Sequence, residues 1–219
     1  RDSSGTVTFT GAGDLYLGGT VTSLGTFTPS TGTIHYDQSG DQTVLADTYY
    51  NLTSGGSGTK TLAGNTFVQN ILDFSADSKI ATSDKTLNIG VKGVSDGSIT
   101  NYSSTRYIIA YDNGGTIGYV NHYINNNASY VYPIGDATNY TPLTFELTAN
   151  GGLTNAGLTC YTSANKVTGL DASATTYLER FWEINETGFT TPTYDISYTY
   201  VDEDTVGIES ELLPVKVSG

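Results

Sequence analysis

The chain has no methionine, one cysteine, two histidines and one tryptophan, and only 14% of its 219 residues are charged. A single cysteine, Cys160, excludes an internal disulfide. Set in Leu158-Thr159-Cys160-Tyr161, it reads as a small buried hydrophobe rather than a nucleophile. A secreted protein needs no disulfide when its core is large enough. Nine Lys and Arg against 22 Asp and Glu give a formal net charge of −13. That field repels phosphate backbones and anionic bilayers, which argues against nucleic acid and against membrane surfaces as partners. No window approaches the ~18 apolar residues of a membrane-spanning helix, and no signal peptide is visible. Without an initiating Met, the chain reads as a mature or excised piece of a longer precursor.

The scarcity of histidine also limits the chemistry. Zinc sites gather several His or Cys ligands, and a Ser-His-Asp triad needs a histidine beside a nucleophile. His35 lies between Ile34 and Tyr36, and His122 between Asn121 and Tyr123. Both are expected on the polar faces of strands. Gly55-Gly56-Ser57-Gly58 lacks the Lys-Ser/Thr and the helix that a phosphate loop requires.

What the chain does have is Thr, Ser, 26 Gly and 17 Tyr, a composition of strands and turns. Ser4-Gly5-Thr6-Val7-Thr8-Phe9 and Gly13-Asp14 return as Thr31-Gly32-Thr33-Ile34-His35-Tyr36 and Gly40-Asp41, shifted by 27 residues. A strand-turn-strand unit that recurs at fixed spacing predicts stacked β architecture. Short alternating strands continue through Leu62, Val68, Leu72, Phe74, Ile80, Leu87, Ile89 and Val91. Residues 1–98 are therefore expected to form a β-solenoid or β-helix, although an antiparallel sandwich would read similarly.

From residue 99 the strands lengthen and become aromatic. Gly118–Ile124 is one of the longer aromatic strands, and Leu143–Thr148 and Tyr194–Tyr200 alternate strictly, which predicts an antiparallel β-sandwich over 99–219. The fold class is all-β, with the boundary placed near residues 94–98. Trp182, flanked by Phe181 and Ile184, is a core anchor, with Arg180 and Glu183 expected as a charge pair on the opposite face.

Several motifs resemble the repeats of large secreted Bacteroidota cell-surface proteins. They are Gly25-Thr26-Phe27-Thr28-Pro29-Ser30-Thr31-Gly32-Thr33-Ile34, then Gly40-Asp41-Gln42-Thr43-Val44, and Tyr49-Tyr50-Asn51-Leu52-Thr53. Val131-Tyr132-Pro133-Ile134-Gly135-Asp136, Tyr140-Thr141-Pro142-Leu143 and Leu178-Glu179-Arg180-Phe181-Trp182-Glu183-Ile184 are similar to motifs that follow those repeats. The resemblance implies an exported protein of the type IX secretion class, serving adhesion, gliding or extracellular filaments. The family's carboxy-terminal sorting domain is lacking here. Residues 213–219 read as a strand cut before its fold is complete. Asp204-Thr205-Val206 resembles the short O-glycosylation signal of such proteins. Five Asn-x-Ser/Thr sequons are no more than so Ser- and Thr-rich a chain produces by chance.

Three sets of residues are candidates for binding or catalysis. Asp202-Glu203-Asp204 is the densest acidic run and a candidate calcium site, with a solvated acidic loop as the plainer reading. Tyr102, Tyr111, Tyr130 and Tyr140 border Asn- or Gly-rich loops and are candidates for stacking on surface glycans. Arg1, Lys60, Lys79, Lys85 and Lys92 are the few cations that a β-helix polysaccharide lyase would draw on in the first half. The sequence expectation is thus an extracellular structural or adhesive protein, not an enzyme. It would self-associate into filaments or pack against neighbouring domains of one long chain. A carbohydrate-binding module, or a β-helix polysaccharide-degrading enzyme, stands as the alternative.

Overall fold

Alternation of Thr with aliphatic and aromatic residues sends every second side chain inward, so successive turns of the chain stack their strands in register. The computed structural model describes residues 5–169 and 174–216. It is all-β, with 54% strand, and contains a β-solenoid of about 4 turns together with antiparallel sheets.

The largest sheet has nine strands. In spatial order they are Asp14–Leu17, Thr33–Tyr36, Thr48–Ser54, Thr66–Phe74, Thr86–Ile89, Tyr119–Ile124, Gly152–Ser163 and Phe181–Thr190, with Ser98–Thr100 also paired to Thr66–Phe74. A five-stranded parallel sheet contributes to the same core in the order Ile134–Gly135, Ile108–Ile109, Ser78–Ala81, Gly58–Leu62 and Gln42–Val44. Thr6–Thr8 and Thr26–Thr28 form a short parallel ribbon beside them.

The stacking interval is not constant. Stacked parallel partners lie 18 to 20 residues apart in the first turns and 21 to 33 apart in the later ones. The 27-residue self-similarity relates Thr6–Thr8 to Thr33–Tyr36, which belong to different sheets. The physical reason is that strands on every face carry the same inward-outward alternation and the same glycine entry. Likeness therefore does not reveal which strand stacks on which.

Stacking builds columns in the interior. Leu15, Ile34, Leu52, Leu72 and Ile99 are consecutive partners in one column, and Leu17, Tyr36, Ser54 and Phe74 in another. Asparagines stack as well: the Asn70 amide donates to Asn51 at 2.9 Å, and the Asn121 amide to Asn88 at 3.1 Å. Corners are closed by glycine where turns touch. Gly58 has φ +72°, and a Cβ there would stand 2.6 Å from the Gly40 carbonyl carbon, so no side chain fits.

Parallel stacking passes through the boundary expected near 98. Ser98–Thr100 pairs with Ile71–Asp73, and Ile108–Ile109 with both Ile80–Ala81 and Ile134–Gly135. The antiparallel part grows from the last rung. Tyr119–Ile124 is parallel to Thr86–Ile89 on one side and antiparallel to Gly152–Ser163 on the other. A three-stranded sheet of Ser129–Tyr132, Leu143–Ala149 and Thr193–Tyr198 packs over it. Phe145 meets Phe189 at 6.0 Å, and Trp182 stacks on Tyr198 at 4.6 Å. One contiguous core runs from Leu17 to Cys160.

Candidate functional site

The acidic run does not converge. Asp202–Asp204 forms a single 3-10 turn in which Asp202 and Glu203 face solvent while Asp204 is buried. The Asp204 carboxylate accepts Arg180 Nε at 2.5 Å and the Val201 amide at 3.2 Å. Among the described residues no group of three or more His, Cys, Asp or Glu is placed to hold a metal ion.

Arg180 is likewise not paired with Glu183. Its Nη2 reaches Asp136 Oδ2 at 2.8 Å and its Nη1 reaches Thr162 Oγ1 at 3.3 Å, all of them buried. Burial raises the Asp136 pKa, but the amides of Asn139 and Thr138 and the Arg180 guanidinium outweigh it, so the carboxyl sits below its ordinary value. Glu183 instead accepts the Tyr161 hydroxyl at 2.8 Å and the Asn185 amide at 3.0 Å. The Asp136–Arg180–Asp204 cluster ties the last rung of the short sheet to the antiparallel strands and the acidic turn. The sequence pointed to its pieces, Ile134-Gly135-Asp136 and Arg180-Phe181-Trp182, but not to their meeting.

The four candidate tyrosines scatter. Tyr130 is buried, its hydroxyl donating to Asp96 Oδ2 at 3.0 Å and to the Asn126 carbonyl at 2.8 Å. Tyr140 packs its ring 5.3 Å from Tyr107, and burial, with Tyr102 nearby, pushes its hydroxyl up to about 12. Tyr102 is half-buried against the core. Tyr111 alone lines a recess, with Ala81, Ile109 and Ala137 as apolar walls and Ser83, Asn113 and Thr116 as polar ones.

The histidines part company too. His35 behaves as expected: its Nε2 contacts Asp14 Oδ1 at 2.8 Å, and its ring lies 4.1 Å from Tyr16, nearly parallel to it. His122 does not lie on a polar face. It is buried between the sheets, edge-on to Tyr130 and Tyr132, with neither ring nitrogen in a hydrogen bond. Burial holds its pKa down to about 4, against the pull of the Asp96 and Gly97 backbone and the Asp96 charge. It shares the inward face of its strand with Val120 and Ile124 and continues the interior column of Val68 and Ile89.

Lys60, one of the few cations of the first half, is buried. It stands in the interior column of the short sheet between Gln42 and Ile80. Its Nζ donates to the carbonyls of Gln38, Gly40 and Ser57 at 2.7, 2.9 and 2.9 Å. A buried ammonium so engaged is a structural tie, not a base open to a substrate.

The two ends of the solenoid differ. At one end the antiparallel strands continue the nine-stranded sheet and the three-stranded sheet covers it. At the other, among the described residues, Asp14–Leu17 is the terminal strand of that sheet, Thr6–Thr8 pairs on one side only, and Gln42–Val44 ends the short sheet. Val7, Phe9, Leu15 and Val21 there pack against the core while remaining partly exposed. Exposed strand edges are templates for further pairing. Compared with known proteins, the chain matches no family model, no curated protein and no solved structure.

Proposed function

We propose that this chain is a secreted, cell-surface structural or adhesive protein that self-associates into a filament or long fibre. The observation that carries the reading is the solenoid end where, among the described residues, Asp14–Leu17 terminates a nine-stranded sheet with its outer edge unpaired. A strand edge is a template for further pairing, and stacked β architecture extends by adding rungs. The motif resemblance to Bacteroidota surface proteins, including their Gly-Asp and Arg-x-Trp pieces, supports the same class. So does the charge of −13, which suits a solvated exterior surface. Electron microscopy and sedimentation of the purified chain test it: rods or polymers that lengthen with concentration are expected, and compact monomers at every concentration overturn it.

A second reading is favoured by the recess at Tyr111. An aromatic wall beside Ser83, Asn113 and Thr116 offers a neutral sugar both a ring face and hydrogen-bond partners. A glycan array read with the unsubstituted chain and with Tyr111→Ala tests it. Signal that the substitution abolishes supports a carbohydrate-binding surface, and silence in both leaves scaffolding alone.

A further inference from the structure

A head-to-tail filament joins two different surfaces of one chain, so an acceptor requires a donor. The acceptor end presents the Asp14–Leu17 edge with Leu15 and Leu17 pointing inward, and Tyr16 outward and 62% exposed. Residues 212–216 have the matching character. They follow a 3-10 turn at Glu209–Glu211 and, among the described residues, pair with no strand. Leu213 is 82% exposed and Val215 66%. Two apolar side chains two positions apart share one face of an extended segment. Left in water, they are the exposed apolar surface that association removes.

Resting on the filament reading, we propose that residues 212–216 of one copy add as a strand to the Asp14–Leu17 edge of the next. Leu213 and Val215 then extend the interior columns that begin with Leu15 and Leu17. Pro214 fits this arrangement. Backbone groups of alternate residues point to opposite sides of a strand, so Leu213 and Val215 bond the acceptor while Pro214, which has no N–H, faces away. Charge agrees in sign. The segment carries Lys216, which reaches Tyr194 within the chain, and no acid between 212 and 216, while the charged side chain of the acceptor strand is Asp14, in contact with His35. The exposed Tyr16 ring, already stacked on His35, offers its other face to whatever side chain the added strand directs outward.

Cysteine cross-linking between chains tests the register and the partner together. A Tyr16→Cys chain is mixed with Leu213→Cys, Pro214→Cys or Val215→Cys chains under mild oxidation, the native Cys160 being buried. The expected result is a disulfide between Tyr16→Cys and Pro214→Cys on different chains, several-fold above those to Leu213→Cys and Val215→Cys, because only position 214 shares the outward face. Loss of polymer in a Leu213→Asp/Val215→Asp double variant with unchanged circular dichroism is expected alongside. Polymers that persist in the double variant, or Tyr16→Cys chains that join only to each other, overturn the strand addition and leave the filament reading standing. Cross-links confined within one chain, or an unsubstituted chain that never polymerises, overturn both.

Discussion

Arg180 and Asp136, 44 positions apart in sequence, form a 2.8 Å ion pair with the guanidinium fully buried. The same guanidinium holds Asp204 through Nε at 2.5 Å. A planar cation with divergent donors is what allows one residue to bind two carboxylates arriving from different segments.

Arg180→Ala leaves both carboxylates buried without their cation. The expected loss in urea unfolding is about 3–5 kcal/mol, the usual effect of removing one partner from a buried charge cluster. Arg180→Lys is expected to recover only part of it, since a single ammonium has no fork to span Asp136 and Asp204.

His122 sets an acid limit. Unfolded, it takes up a proton near pH 6.5; folded, burial delays that to about 4. Protons therefore favour the unfolded chain, and stability present above pH 6.5 falls as the pH drops toward 4. The full loss is about 3 kcal/mol at 1.36 kcal/mol per unit. His122→Phe keeps the edge-on packing against Tyr130 and Tyr132 and is expected to flatten the pH 4–6.5 part of the stability profile. A slope unchanged in that variant would assign the acid sensitivity elsewhere.

The fold class was legible because alternation is local: Ile34 and Leu52 each sit between polar neighbours, and each turns inward. The rung length was not, because Thr6–Thr8 and Thr33–Tyr36 look alike while lying on different faces. His122 was placed by its immediate neighbours Asn121 and Tyr123, whereas its alternation with Val120 and Ile124 puts it on the inward face. Lys60 shares the inward face of its strand with Leu62 and meets the corner carbonyls of Gln38, Gly40 and Ser57. The tyrosines failed for a related cause. Bordering a loop in sequence does not expose a ring, and Tyr130 spends its hydroxyl on Asp96.

The acidic turn offers a clean discrimination. If Asp204 acts through Arg180, Asp204→Asn lowers the melting temperature equally in EDTA and in excess Ca²⁺, because the lost partner is the guanidinium. Asp202→Asn and Glu203→Gln, on solvent-facing positions, are expected to stay within about 0.5 kcal/mol of the unsubstituted chain. A Ca²⁺-dependent rise in melting temperature that those two substitutions abolish would instead assign the turn to a cation.

Lys60 provides the sharpest test of the solenoid interior. Its ammonium is the hydrogen-bond donor to three corner carbonyls, those of Gln38, Gly40 and Ser57. Burial lowers its pKa, while Asp41 and Asp37 resist that change. Lys60→Ala removes the donor and leaves a hole beside carbonyls that cost about 1–3 kcal/mol apiece when unsatisfied and dry. The expected loss is therefore larger than an apolar truncation of that size would give in an unstrained corner. Ammonium chloride separates the two contributions. A free ammonium ion that enters the hole binds only the folded state and restores stability in proportion to RT ln(1 + [L]/Kd). Sodium chloride at equal ionic strength controls for screening. Recovery by ammonium but not by sodium, in the variant but not in the unsubstituted chain, assigns the effect to the three carbonyls; equal recovery by both salts assigns it to the acidic surface around Asp37 and Asp41.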